Sequence, residues 1–160
     1  IAHQPGDVCL PGGMVEEGES PRDAALRELQ EELLLNEDQI CHLGDMDKLY
    51  TGSRLIMYSF AAEVTEYQNT FSPAEVDEVF QVPLEFFLHT EPKCYVTRAK
   101  VEPGEDFTYE LICGGRDYNW RSRKEEVCFY QYEGHVIWGL TAKMMRAFTE
   151  VVRSCHEGEK

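Results

Sequence analysis

The chain has 160 residues, 42% hydrophobic and 28% charged, enough for one domain with its own core. Fifteen basic residues against thirty acidic ones give a formal net charge of −15, which argues against duplex nucleic acid or an anionic membrane as the main partner. A small anionic ligand stays open, because a metal ion or a few basic side chains can reverse the field locally.

No apolar run approaches the roughly 18 residues of a membrane span, and no basic-plus-apolar signal segment opens the chain. Cysteines at 9, 41, 94, 113, 128 and 155 show no C-x-x-C spacing and read as reduced thiols in a cytoplasmic compartment. The five histidines are scattered without metal-ligand spacing and receive no role. A homodimer is compatible with the sequence and is not required by it.

In chain order, Asp7–Leu10 reads as a short strand entering the Pro11-Gly12-Gly13 turn. Ser20-Pro21 starts a helix that should run to Leu34. Serine caps, proline suits the first helical position, and Asp23 adds negative charge to the first turn. Leu26, Leu29 and Leu33 share its apolar face.

Residues 40–50 and 54–64 read as strands joined by a Thr51-Gly52-Ser53 turn. Residues 75–80 form a turn or loop, and residues 82–88 a strand passing into a helix. Residues 95–101 and 107–113 read as strands around Glu102-Pro103-Gly104-Glu105. Residues 116–126 are polar and irregular, "VCFYQY" is a strand, and Thr141–Ser154 is an amphipathic helix. No repeat, low-complexity segment or linker divides residues 1–160.

Glu28, Glu31 and Glu32 crowd one side of the first helix, opposite its leucines. Like charges at that spacing repel by a few tenths of a kcal/mol per exposed pair, roughly. A solvated acidic face is one explanation. The other is a cradle for a hard cation, since Mg²⁺ and Mn²⁺ take carboxylate, carbonyl and water oxygens and bridge to phosphates. Gly12 offers a carbonyl near the helix start, and Arg27 and Glu19 can orient carboxylates.

The order of these parts is specific. Gly13, five residues, Glu19, seven residues, Arg27-Glu28-Leu29, one residue, then Glu31-Glu32 resembles the Nudix box, G-x5-E-x7-R-E-U-x-E-E-x-G-U with U apolar. Leu34 stands at the box's second glycine, and Leu35 supplies the last apolar position. The resemblance implies an α/β fold, an α/β/α sandwich around a mixed curved sheet, with one or two strands ahead of the box that this chain lacks. It also implies a Mg²⁺ or Mn²⁺ site formed by Glu28, Glu31, Glu32 and the Gly12 carbonyl, with Glu19 and Arg27 in support. The family cleaves nucleoside diphosphates linked to another group, so a small nucleotide is the implied partner.

Three segments resemble the coenzyme A pyrophosphatase subfamily. "GDVCLPGG" is similar to its G-x3-F-P-G-G, with Leu10 for Phe; "EVDEVFQVPLEFFL" and "VIWGLTAKMM" resemble later segments. Ala2 stands where a further arginine of that motif is expected. The reaction implied splits coenzyme A into 3′,5′-ADP and 4′-phosphopantetheine. The general base stays open between Glu28 or Glu31 and a later loop glutamate, here Glu75, with Glu78 behind it. Glu75 and Glu78 read equally well as cap or surface charges.

Arg116, Arg121, Arg123 and Lys124, beside Tyr118 and Trp120, suit a phosphate-rich adenine nucleotide, although a plain surface loop fits as well. Arg98 and Lys100 read as a solvated strand face, and Trp138 as core. ADP-ribose, dinucleotides and nucleoside triphosphates are alternative substrates. A non-catalytic binding module and an acidic scaffold are alternative classes, the first disfavoured because all three box carboxylates are present.

Overall fold

The structure, a computed structural model, describes residues 6–51 and 55–157. It is an α/β fold. Helix α1 spans Pro21–Leu33. Strands β1 (Ile40–Asp45), β2 (Leu49–Tyr50), β3 (Ile56–Met57) and β4 (Phe60–Val64) follow, then helix α2 (Leu84–His89). Strands β5 (Lys93–Ala99), β6 (Arg123–Tyr132) and β7 (His135–Trp138) lead into helix α3 (Gly139–Glu157).

Among the described residues the strands form three antiparallel sheets, ordered β1-β4, β2-β3 and β5-β6-β7. The mixed sheet implied by the resemblance therefore shows no parallel pair here. Strand β1 pairs with β4 from Ile40↔Val64 to Asp45↔Phe60, with a register slip between His42 and Gly44 that bends the ribbon.

Several sequence expectations change. Residues 7–10 form no strand and pair with none of the sheets. They are instead held by side chains: Trp138 Nε1 donates to Asp7 Oδ1 at 3.1 Å, and Thr141 Oγ1 to the Val8 carbonyl at 2.9 Å. Residues 40–50 break into β1 and β2, and residues 54–64 into β3 and β4. Gly52 and Ser53 of the expected turn lie outside the described residues, as does Ala2.

Residues 107–113 are also not a strand. They carry a short 3-10 turn, Tyr109–Leu111, and pair with no strand, while the outer edge of β5 stays unpaired among the described residues. Strand β6 starts at Arg123, four residues before "VCFYQY", within the stretch expected to be irregular. No strand precedes α2: residues 80–83 enter it directly.

The core lies between the β5-β6-β7 sheet and helices α2 and α3. Phe87, Cys128, Tyr130, Ile137 and Ala142 are buried together, with Phe80, Val82, Phe86 and Met145 packed against them. Phe86 and Phe87 meet Tyr130 edge-on, with ring centres 6.2 and 5.1 Å away. Trp138 is not core. It is 37% exposed and stacks flat on Phe129 with centroids 5.7 Å apart.

The accessible surface is 12385 Å², whereas a compact monomer of 18.4 kDa would show roughly 8,200 Å². The excess goes with apolar side chains left uncovered in the β1–β4 region. There Leu43, Tyr50 and Ile56 are 63%, 69% and 48% exposed.

Candidate metal-dependent active site

Helix α1 begins as its sequence dictates. Ser20 Oγ accepts from the Asp23 amide at 3.2 Å and donates to Asp23 Oδ2 at 2.7 Å, with Pro21 at the first helical position. It ends one residue earlier than expected. Leu34 adopts φ 54 and ψ 46, the left-handed C-cap conformation, and its amide bonds the Gln30 carbonyl. That is the turn for which the Nudix box uses glycine, so the substitution leaves the helix exit in place at a conformational cost.

Arg27 organises the carboxylates. Its Nε donates to Glu19 Oε1 at 3.0 Å and its Nη2 to Glu19 Oε2 at 3.2 Å, a bidentate pair. Its Nη1 reaches Glu28 Oε1 at 2.9 Å and Glu31 Oε2 at 3.2 Å, and Nη2 also donates to the Met14 carbonyl at 3.2 Å. One guanidinium therefore ties the loop to three of the four glutamates.

The Glu19 and Glu28 carboxylates raise the Arg27 pKa, in that order. Reciprocally, the Arg27 hydrogen bond, then the Glu16 backbone amide, hold the Glu19 carboxyl below the usual range.

Glu32 is set apart. Arg27 does not reach it, and it makes no ion pair among the described residues. Burial raises its pKa most, a hydrogen bond from the Gly12 backbone pulls it down, and the charges of Glu28 and Glu75 push it up again.

Glu75 is near because the loop that carries it is fastened to the end of α1. The Ser72 amide donates to the Glu32 carbonyl at 2.8 Å, and Thr70 Oγ1 to the Leu33 carbonyl at 2.7 Å. The amides of Glu75 and Val76 then fold back onto the Ser72 carbonyl at 3.1 and 2.9 Å.

The residue types suit a hard divalent cation, but their oxygens are not gathered here: among the described residues only Cys94, Glu126 and Cys128 bring three such ligand atoms within 4.8 Å of one another. Glu28, Glu32 and Glu75 bring excess negative charge together, and Arg27 offsets only part of it. The loop leaves room for the arrangement, since a Cβ at Gly13 would collide with the Glu28 carboxylate. Glu28, Glu31 and Glu32 would hold the ion. The Gly12 amide lies against the Glu32 carboxylate.

The site also contains residues that sequence reasoning missed. Cys9 borders Glu32; burial, then Glu32 and Asp7, raise its thiol pKa and keep it protonated. Thr70 and Ser72 act across 37 and 40 residues of chain, by backbone contacts that no motif announces.

The expected substrate arginines lie at the surface. Arg116 is exposed and lies over the Tyr109 ring at 4.8 Å, Arg123 pairs with Glu125 at 3.3 Å, and Arg121 is exposed. Trp120 contacts Phe107 and Tyr118, with ring centres 5.7 and 4.9 Å away, so the aromatics form one surface cluster. Among the described residues no hydrogen bond or ion pair joins this cluster to α1. Arg98 is exposed opposite Lys124 on the β5-β6 ladder, as a solvated face requires.

The NUDIX domain family model matches residues 1–103, and the chain belongs to the Nudix hydrolase family. It is 27% identical to the Nudix hydrolase NudL of Photorhabdus laumondii over 92% of this chain and 70% of that protein. It is 33% identical to the peroxisomal coenzyme A diphosphatase NUDT7 of Mus musculus over 67% of this chain and 45% of that protein. It is 34% identical to the peroxisomal coenzyme A diphosphatase ndx-8 of Caenorhabditis elegans, over 55% and 39%. The alignments thus span less than half the length of the two coenzyme A diphosphatases. No helix among the described residues is long and apolar enough to cross a membrane.

Proposed function

We propose that the protein is a pyrophosphohydrolase that uses Mg²⁺ or Mn²⁺ to cleave coenzyme A, or an acyl derivative, into 3′,5′-ADP and 4′-phosphopantetheine. The observation that carries the reaction class is the carboxylate cradle on α1, braced by Arg27 and crowded by Glu75. The substrate rests on the "GDVCLPGG" segment and on the activity named for two relatives.

A divalent ion in this cradle supplies charge neutralisation at the diphosphate and lowers the pKa of a bound water. The chain's own work is positioning. Arg27 fixes the Glu28 and Glu31 carboxylates from one side, which phosphoryl chemistry rewards because its catalysis is mostly geometry and electrostatics. Glu75 takes the proton from the attacking water, and its tethered loop holds it next to Glu32. Glu28 and Glu31 are the other carboxylates able to do so.

Arg116, Arg121 and Arg123, with the exposed aromatic cluster, contribute the phosphate and adenine contacts in this reading. A cytoplasmic setting belongs to the same proposal; the four free cysteines suit it and the Cys94–Cys128 disulfide does not.

The test is product analysis by liquid chromatography and mass spectrometry on coenzyme A, ADP-ribose, NADH and diadenosine polyphosphates, with Mg²⁺ or Mn²⁺. Metal-dependent 3′,5′-ADP plus phosphopantetheine, preferred over other products, is expected. Preferred cleavage of another substrate would retain the cradle and discard coenzyme A. In parallel, Glu31→Gln with Glu32→Gln should abolish turnover and leave the circular dichroism spectrum unchanged. Wild-type turnover in that double variant would sink the cradle assignment.

A further inference from the structure

A second cluster of reactive side chains lies in the β5-β6-α3 layer, apart from the cradle. The sequence reading took all six cysteines as reduced thiols, but Cys94 and Cys128 are joined as a disulfide across a sequence separation of 34. The β5-β6 register sets them directly opposite each other, which their spacing along the chain does not reveal. Cys128 is buried and Cys94 is partly exposed.

Arg146, on α3, brings Nη1 within 3.9 Å of Cys94 Sγ and 3.8 Å of Cys128 Sγ. The same nitrogen donates to Glu126 Oε2 at 2.9 Å, and that oxygen lies 3.7 Å from Cys128 Sγ. The two sulfurs and this carboxylate lie within 4.8 Å of one another, close enough to ligate a cation. The guanidinium, however, already sits against all three and would repel one.

We propose that Cys94 and Cys128 are an exchangeable redox pair, with Arg146 as the residue that positions and activates their sulfurs. A cation beside both sulfurs stabilises thiolate, which is both the attacking and the leaving form in disulfide exchange. It also offsets Glu126, which alone would disfavour thiolate.

In the oxidising direction the Cys94 thiolate attacks a small-molecule disulfide. One small thiolate leaves, and a mixed disulfide remains on Cys94. The Cys128 thiolate then attacks the Cys94 sulfur and expels the second small thiolate. One S–S bond is consumed and one formed; the protons of the two cysteine thiols end on the two released thiols. Cys94 is the entry point because its partner is buried.

The test is a native redox series on the intact chain. The protein is equilibrated at varied ratios of glutathione to its disulfide, quenched with acid, alkylated and analysed by peptide mass spectrometry. The 94–128 crosslink should appear and disappear reversibly, while Cys9, Cys41, Cys113 and Cys155 are either alkylated or carry one glutathione and form no internal crosslink.

Arg146→Gln should slow crosslink formation about threefold or more, the effect of about one unit of thiolate pKa tempered by nucleophilicity. Arg146→Lys, which keeps the cation, should restore most of the rate. Absence of the crosslink at the most oxidising ratio overturns the proposal. So does a crosslink that resists excess thiol until the chain is denatured, or zinc that copurifies and blocks alkylation. An unchanged rate in a folded Arg146→Gln variant removes Arg146 from the scheme. The wild-type series decides the main claim even if that variant does not fold.

Discussion

Leu34 and Gly13 show how much single residues carry in this site. A leucine held at φ 54 costs about 1–2 kcal/mol relative to right-handed backbone. Leu34 is 55% exposed, so replacing it sacrifices little packing. Leu34→Gly should therefore raise stability by about 0.5–1 kcal/mol after the entropy of an added glycine in the unfolded chain is subtracted. A thermal melt raised by about 1–4 °C checks it.

Gly13→Ala has the opposite character. The new Cβ displaces the Glu28 carboxylate, the mobile end of a side chain, so the fold tolerates it. Under the proposed function, turnover should fall by about tenfold or more because the Glu28 carboxylate is displaced, with the melting temperature nearly unchanged. A comparable loss of both would show that the glycine serves the backbone instead.

Two glutamates should titrate in opposite senses. Glu19 has a lowered pKa, so its contribution to stability is present above the ordinary glutamate value and is lost as pH falls through the folded value. Glu32 has a raised pKa, so without metal its ionisation costs stability as pH climbs through the folded value. A divalent ion reverses that cost. Its affinity, read by calorimetry with Mn²⁺, should therefore weaken as pH is lowered, starting at a higher pH than for an ordinary glutamate. Affinity that holds until the ordinary glutamate range would exclude Glu32 as a ligand.

At the scale of elements, α1 and the 70–76 loop act as one unit. The loop has no regular structure of its own, and its position depends on two bonds to carbonyls at the C-terminal end of α1. Those carbonyls lack intrahelical partners, so the helix end is a natural anchor. Thr70→Val removes one anchor at a cost of about 1 kcal/mol or less. If Glu75 is the base, kcat should drop while metal affinity stays the same; equal kcat in the two proteins would assign the proton transfer to Glu28 or Glu31. Arg27→Lys should lower kcat too, since an ammonium cannot reproduce the fork that spans Glu19, Glu28 and Glu31.

Across the whole molecule, the β5-β6-β7 sheet and α3 form the platform on which the active-site entrance rests. Trp138 and Thr141, from β7 and α3, hold Asp7 and Val8 just ahead of the Pro11-Gly12-Gly13 turn. Arg153, from α3, donates to the Leu88 carbonyl at 2.6 Å and the Phe87 carbonyl at 3.2 Å, fixing α2 to the same layer. The core and the cradle are thus joined through a few long-range hydrogen bonds.

Local chemistry alone determined α1, its serine cap and the spacing of Glu19, Arg27, Glu28, Glu31 and Glu32. Every group in that constellation lies within one loop and one helix, where spacing sets direction. Leu34 was legible as the odd residue at a glycine position only through the resemblance to the Nudix box. Strands were less legible, as residues 107–113 show: an apolar stretch becomes a strand only if it pairs with another, and these residues pair with none. Only tertiary structure brought the Glu75 charge within range of Glu32, Asp7 onto Trp138, and Cys94 opposite Cys128. Each of those pairs is set by how distant elements register and pack, a long-range property that adjacent residues do not encode.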